Sequence, residues 1–373
     1  MNRLRLNKRF IFLAIVLTAL AVVQIAREFR PSIVGPNVHL RAYVANSGDG
    51  TVSVIDLVRL AAVATISVGP TPSGLRQRPK QKELWGVSTE GGFVWVIDPV
   101  SSSVSARIPV GAAPFAVDFS PDGRHAYVTA SGANTLVAID ADTKQVVGRA
   151  HTGRRPWLAR ITPDGRTILV ASRDDSTLEL FDAATLASQG VIDIAQHPEQ
   201  IVVLPDSSIA FVSAADANQI SAVDLHRRVL LTNLALDGTP AGMFLKPDGG
   251  ELYVTVPDSH GIEIINTSRA EVAESLLVGL TPTRGTLDPA GALYLSDSSA
   301  GRVLPIAIDS RILRPPIPVG HEPGACQLDP SGELLLVANH DSNDLAIVRV
   351  RTSSLLTMVP VGSHPSDIAV LLY

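Results

Sequence analysis

Five side chains able to hold a metal recur at matching places in the last part of the chain. His321 and Glu322 lie in VGHEP, His364 and Asp367 in VGSHPSD, and His340 between them in ANHDS. Imidazole nitrogen and carboxylate oxygen are ligands for a divalent metal, and histidine also holds an iron porphyrin. The same set could polarise a carbonyl, as a metal-assisted lactone hydrolase does. All five are equally ordinary as exposed loop residues. A second group is Arg154, Arg155 and Trp157 in TGRRPW, with His197 and Glu199 in QHPE and Arg284 in LTPTR. Guanidinium groups beside an indole suit an anionic or aromatic ligand, although Trp157 also reads as plain packing. The sequence contains no G-x-S-x-G, H-E-x-x-H, Walker loop or C-x-x-C-H. That excludes covalent c-type haem and leaves non-covalent cofactors open.

A strict repeat must position these residues. Turns ending in proline fall at Pro72, Pro114, Pro156, Pro198, Pro240, Pro282, Pro323 and Pro365, spaced by 42 residues except for one interval of 41. A period in the low forties with strand-like contents predicts a β-propeller. In the copy 115–156, FAVDFS, HAYVTAS, TLVAID and QVVGRAHTG read as four short strands rich in Val, Ile, Thr and aromatics. An aromatic or Leu recurs in the second strand at Trp85, Tyr127, Leu169, Phe211, Tyr253 and Leu336. An acid ends the third strand at Asp56, Asp98, Asp140, Asp182, Asp224 and Asp309, where it is expected to cap a turn.

Three strands precede Pro72 (RAYVANS, TVSVIDL, AVATISVG) and one, DIAVLLY, follows Pro365. Together they predict an eighth blade whose innermost strand comes from the C-terminus, closing the ring and removing its open edges. The expected fold is all-β: an eight-bladed propeller of four-stranded antiparallel blades over 38–373, with a seven-bladed ring as the alternative. Antiparallel strands send successive loops to opposite faces. The proline connectors and the loops between second and third strands therefore share one face. The Pro-Asp-Gly turns and the acid-ended turns share the other. The connector face carries the varied, chemically capable residues and is where a ligand is expected.

The strings YVANSGDGTVSVID (43–56) and YVTASGANTLVAID (127–140), flanked by IPVGAAP and FSPDGRHAYV, resemble the YVTN family of bacterial and archaeal propeller repeats. The likeness covers the chain beyond its N-terminal segment. It implies a propeller, usually of seven blades, among secreted, surface-layer and exported single-stranded-DNA-binding proteins. Related propellers carry haem d1 or work beside quinone cofactors, and eight blades is the haem-d1 number.

Residues 1–37 read as a separate unit. Arg3, Arg5, Lys8 and Arg9 precede the apolar run 10–26, which predicts either a signal peptide cut after Ala21 or an uncleaved anchor, followed by a linker. Either places the propeller in the periplasm or outside the cell, touching membrane only through 10–26. The chain has 31 basic and 36 acidic residues, and six of the basic ones but a single acid lie before residue 38. An acidic body disfavours nucleic acid as a partner. The one basic cluster, Arg76, Arg78, Lys80 and Lys82, is expected to be a solvated turn. Cys326, the only cysteine, is expected to be a buried, inert thiol. The function expected is a non-catalytic extracytoplasmic scaffold that holds a protein, peptide or glycan partner on the connector face, with no cofactor assigned. The alternatives are a haem d1- or quinone-linked oxidoreductase or maturation propeller, and the lactonase.

Overall fold

The structure is a computed structural model that describes residues 39–373. The signal peptide or anchor and its linker lie outside the described residues. Blade 2 shows the unit: Pro72–Gln77 innermost, then Leu84–Ser88, Phe93–Asp98 and Ser103–Pro109 outermost. Blades 3 to 8 begin on Pro114–Phe119, Pro156–Ile161, Pro198–Val203, Gly242–Leu245, Pro282–Asp288 and Pro323–Leu328. Blade 1 joins both ends of the repeat region. Leu40–Asn46, Thr51–Asp56 and Ala61–Ser67 take Pro365–Leu372 as their innermost strand, with Tyr43 opposite Ala369. Each innermost strand packs on the next, and Pro365–Leu372 packs on Pro72–Gln77, so the ring closes with eight blades. The seven-blade alternative falls.

Strand composition follows the surroundings. The middle strands are covered on both faces by neighbouring blades, so Leu84–Ser88 is buried throughout. Outermost strands see water on one side, and Gln145–His151 accordingly alternates between exposed and half-buried. The aromatic column fills the seams: Trp85, Tyr127, Phe211 and Tyr253 are all buried. Blade 7 departs from the pattern. Its outermost strand is split into Ile312–Leu313 and Ile317–Pro318, because Pro315 and Pro316 between them have no N–H to give the ladder.

On the turn face the acid column caps turns as expected. An Asp140 carboxylate oxygen accepts the amides of Asp142 and Thr143 at 3.0 and 2.7 Å. Asp56 and Asp182 repeat the bond. Asp309 instead pairs with Lys246 at 3.0 Å. The basic cluster is not one solvated turn. Lys80 and Lys82 are exposed, but Arg78 is buried. Its Nε donates to the Gly123 carbonyl at 2.7 Å and its Nη1 to the Ala141 carbonyl at 2.9 Å, and it pairs with Glu83 and Asp142. Arg78 thus clamps blade 2 to blade 3, a contact that linear spacing does not display. Cys326 is buried beside Ser296, and burial pushes its thiol up to about 12, so it stays protonated at neutral pH.

The innermost strands carry a feature that builds the site. Their pairing shifts register just after the connector proline in blades 3, 4, 5, 7 and 8. Such a bulge adds a residue and re-aims its neighbours. Positions one, two and four after the proline stay partly open in blades 3, 4 and 5, where the inner edges surround the axis.

Candidate functional site

The connectors are held rigidly. In six of them the residue before the proline (Thr71, Ala113, Arg155, His197, Glu322, His364) is left-handed, with φ between 48° and 53°. This conformation is uncommon for a residue with a Cβ and must be held by its surroundings. Buried acids supply part of that hold. Glu179 accepts the Gly153 amide at 2.6 Å, Glu263 the Asp237 amide at 2.7 Å, and Asp297 the Thr281 amide at 2.7 Å.

Two of the expected metal ligands, Glu322 and His340, meet on this face, joined by Asp341, which was not in the expected set. His340 Nδ1 lies 3.3 Å from Glu322 Oε2 and 3.1 Å from Asp341 Oδ1. The three ligand atoms all lie within 4.8 Å of one another. The His364 ring stacks on His340, with centroids 4.6 Å apart and planes 19° apart. Hydrogen bonding, first of all with His340, holds the Asp341 carboxyl below the usual range. One imidazole and two carboxylates form a donor set for a divalent cation. The stacked rings do not fit two axial ligands of one porphyrin iron, which must lie between the two nitrogens. Two residues of the expected set stand apart. His321 enters through its backbone, its amide donating to Ser342 Oγ at 3.1 Å and its carbonyl accepting the Asp341 amide. Asp367 lies in the axial channel.

The second group is rearranged around Trp157. Arg154 is paired with Asp175 at 2.6 Å and Arg155 with Asp174 at 3.3 Å, so neither is the indole's neighbour. Trp157 is instead stacked on Phe115, with centroids 3.9 Å apart, and the Arg173 guanidinium sits 4.6 Å from its centroid. Arg173 also bonds Glu199 at 2.8 Å, and His197 pairs with Asp216. The result is an aromatic–guanidinium stack at the channel mouth that spans blades 3 to 5. Arg173 was missed because it lies on a loop sixteen residues from Trp157; only the strand pairing brings it there.

The channel holds Arg76, Asp118, Arg160, Arg284 and Asp367, all on innermost strands. Asp118 pairs with Arg160 at 3.4 Å and accepts the Ile161 amide at 3.1 Å. Asp367 accepts the amides of Leu75 and Ile368, both at 2.9 Å, one on each oxygen. Arg284 reaches across to the Ser366 carbonyl at 3.4 Å. Burial pushes the Asp367 carboxyl up against the opposing pull of Arg76 and Arg284. It also lowers Arg160, with Arg76 adding repulsion. Two surface hollows lie elsewhere, on the turn face. One is lined by Leu40, Leu57, Leu334 and Leu356 at the closure seam, the other by Arg166, Asp182 and His226 between blades 4 and 5.

This architecture defines an eight-bladed β-propeller. No protein-family model and no curated protein matches the chain. Solved structures do match. Dihydro-haem d1 dehydrogenase NirN in complex with DHE superposes with a TM-score of 0.77 at 17% identity, over 91% of this chain and 77% of that one. Hydrazine synthase of Kuenenia stuttgartiensis gives 0.62 at 20% identity, over 75% of this chain and 95% of that one. A functionally unknown protein from Desulfotomaculum acetoxidans DSM 771 gives 0.63 at 14%, over 88% and 98%. At such identities the likeness establishes the fold alone.

Proposed function

We propose that this chain is an exported binding propeller of the YVTN type, a non-catalytic scaffold that holds a protein, peptide or glycan partner on its connector face. The observation that carries the reading is the Phe115–Trp157–Arg173 stack, fixed at the channel mouth by Glu199 and partly open to solvent. Aromatic and guanidinium surfaces are strong contributors to interfaces, and a rigid aromatic loses little entropy when it binds. The pinned connectors support it, because preorganised loops need no ordering on contact. The basic start and apolar run of 1–26 support export to the periplasm or cell exterior, with or without an anchor, and the acidic body argues against nucleic acid.

One observation favours a second reading. The likeness to dihydro-haem d1 dehydrogenase spans most of both chains, and such a propeller could carry a haem d1- or quinone-linked cofactor over its axis as an oxidoreductase or maturation protein. The His340–His364 stack counts against a bis-histidine iron there. An ultraviolet–visible spectrum with intact mass, taken on protein purified from its native envelope, separates the two. Absorbance confined to the aromatic region and a mass equal to the chain are expected. A band at longer wavelength would overturn the scaffold reading in favour of the cofactor.

A further inference from the structure

We propose that the axial channel binds a compact oxyanion, a polycarboxylate or a phosphate, on the guanidinium groups of Arg76, Arg160 and Arg284. This site is separate from the connector-face surface and does not depend on what that surface holds.

The argument begins with hydrogen-bond supply. Arg76 is exposed although it stands on an innermost strand, so the water it meets is at the axis. Among the described residues its guanidinium makes no hydrogen bond and no ion pair. Arg284 is also exposed, and its one bond is the 3.4 Å contact to a carbonyl. The nearest carboxylate does not use them up. Both oxygens of Asp367 are taken by the backbone amides of Leu75 and Ile368. Arg160 alone has a carboxylate partner, Asp118 at 3.4 Å, and Asp118 also accepts a backbone amide. Three guanidinium groups therefore meet two aspartates, of which Asp118 is paired with Arg160 and Asp367 already accepts two backbone amides, and this leaves several planar N–H donors over on Arg76 and Arg284.

Charge points the same way. The chain as a whole has more acids than bases, yet this part of the channel carries an excess of arginine. Arg76 is close enough to Arg160 to disfavour its charged form and close enough to Asp367 to favour the carboxylate. Like charges gathered in a partly dry channel are unfavourable until an anion arrives. A channel with low-dielectric walls also focuses their field along the axis. Arginine's planar fork matches carboxylate and phosphate oxygens in pairs, and three such groups on different blades favour an anion with several oxygens over a halide.

The test is calorimetric titration of the full propeller with citrate and, separately, inorganic phosphate. At least one should bind saturably with one site per chain. Arg76→Gln and Arg284→Gln should each weaken it roughly tenfold or more, as expected for the loss of a charge-assisted hydrogen bond. Asp367→Asn should tighten it by removing a competing charge. Arg107→Gln, on an exposed outermost strand, should change nothing. If either glutamine variant fails to keep the wild-type circular dichroism and melting profile, the lysine variant replaces it and should retain part of the affinity. Citrate bound in preference to phosphate would assign the carboxylate source, and the reverse order the phosphate source. Absence of saturable binding by both anions, or binding unaltered in both Arg76→Gln and Arg284→Gln, would overturn the proposal.

Discussion

Aspartate plays opposite parts in two regions of this propeller. On the turn face, Asp122, Asp140, Asp182 and Asp206 accept hydroxyls and amides from their own turns, and those bonds hold each carboxyl below its ordinary range. In the channel, Asp367 is pushed the other way by burial, although two arginines oppose the shift. The turn aspartates are exposed or partly exposed and do one local job in blade after blade. Asp367 and the channel arginines follow no such column through all the blades, and they stand in a place where charge is costly. A column that repeats closes turns and seams. A residue that breaks the column at a cost in stability is a candidate for binding.

Ring closure should produce the largest effect. Removing residues 365–373 takes away the innermost strand of blade 1 and bares the edge of Leu40–Asn46. Calorimetry should show loss of the cooperative transition, and gel filtration should show association through the open edge. Next comes the turn-face clamp. Arg78→Ala should cost about 2–3 kcal/mol in denaturant unfolding, because two seam carbonyls lose a charged donor, while Asp142 is exposed and Glu83 keeps Lys144. Lys80→Ala, on the exposed turn beside it, should stay within about 0.5 kcal/mol.

The aspartates sharpen the contrast through pH. The folded value of Asp140 is lowered, so its stabilisation is present above the unfolded carboxylate value and is lost as pH falls through the lowered one. Asp140→Ala should cost at most about 1 kcal/mol near neutrality, discounted because the group is exposed, and the gap to wild type should close in acid. The folded value of Asp367 is raised, so its ionisation destabilises the fold as pH rises from the unfolded value through the raised one. Asp367→Asn gives up one acceptor for a backbone amide, but it should lose less stability than wild type as pH rises from acid to neutral, so that its gap to wild type narrows. Thermal melts from acid to neutral pH check both signs. The smallest effect is expected at the solvated histidine cluster. Zinc titration should show weak binding that His340→Ala abolishes and that His321→Ala, at a residue holding the cluster through its backbone, leaves nearly unchanged.

The architecture was largely legible in the sequence. Proline spacing, the aromatic column and the strands before Pro72 and after Pro365 together predict eight blades and the closure of the ring, because repetition averages away local ambiguity. The site was legible only in part. The meeting of His340 with Glu322 follows from their shared face. Asp341 was visible on the same loop, but its place beside the imidazole was not. Arg173 against Trp157, Arg78 inside a seam and Arg76 in the channel all depend on contacts between strands or blades, which spacing along one strand does not encode. The bulge just after the connector proline, absent from blade 6, was equally hidden. It re-aims the residues that follow it, Asp367 of blade 1 among them.

The central claim is that binding resides on the connector side. Photo-crosslinking in the native envelope tests it most directly, with a benzophenone amino acid placed at Arg155 or His364 on the connector face and at Arg124 or Arg166 on the turn face, all four exposed. Discrete adducts from the connector positions and none from the turn positions are predicted. Adducts arising only from the turn face would contradict the account.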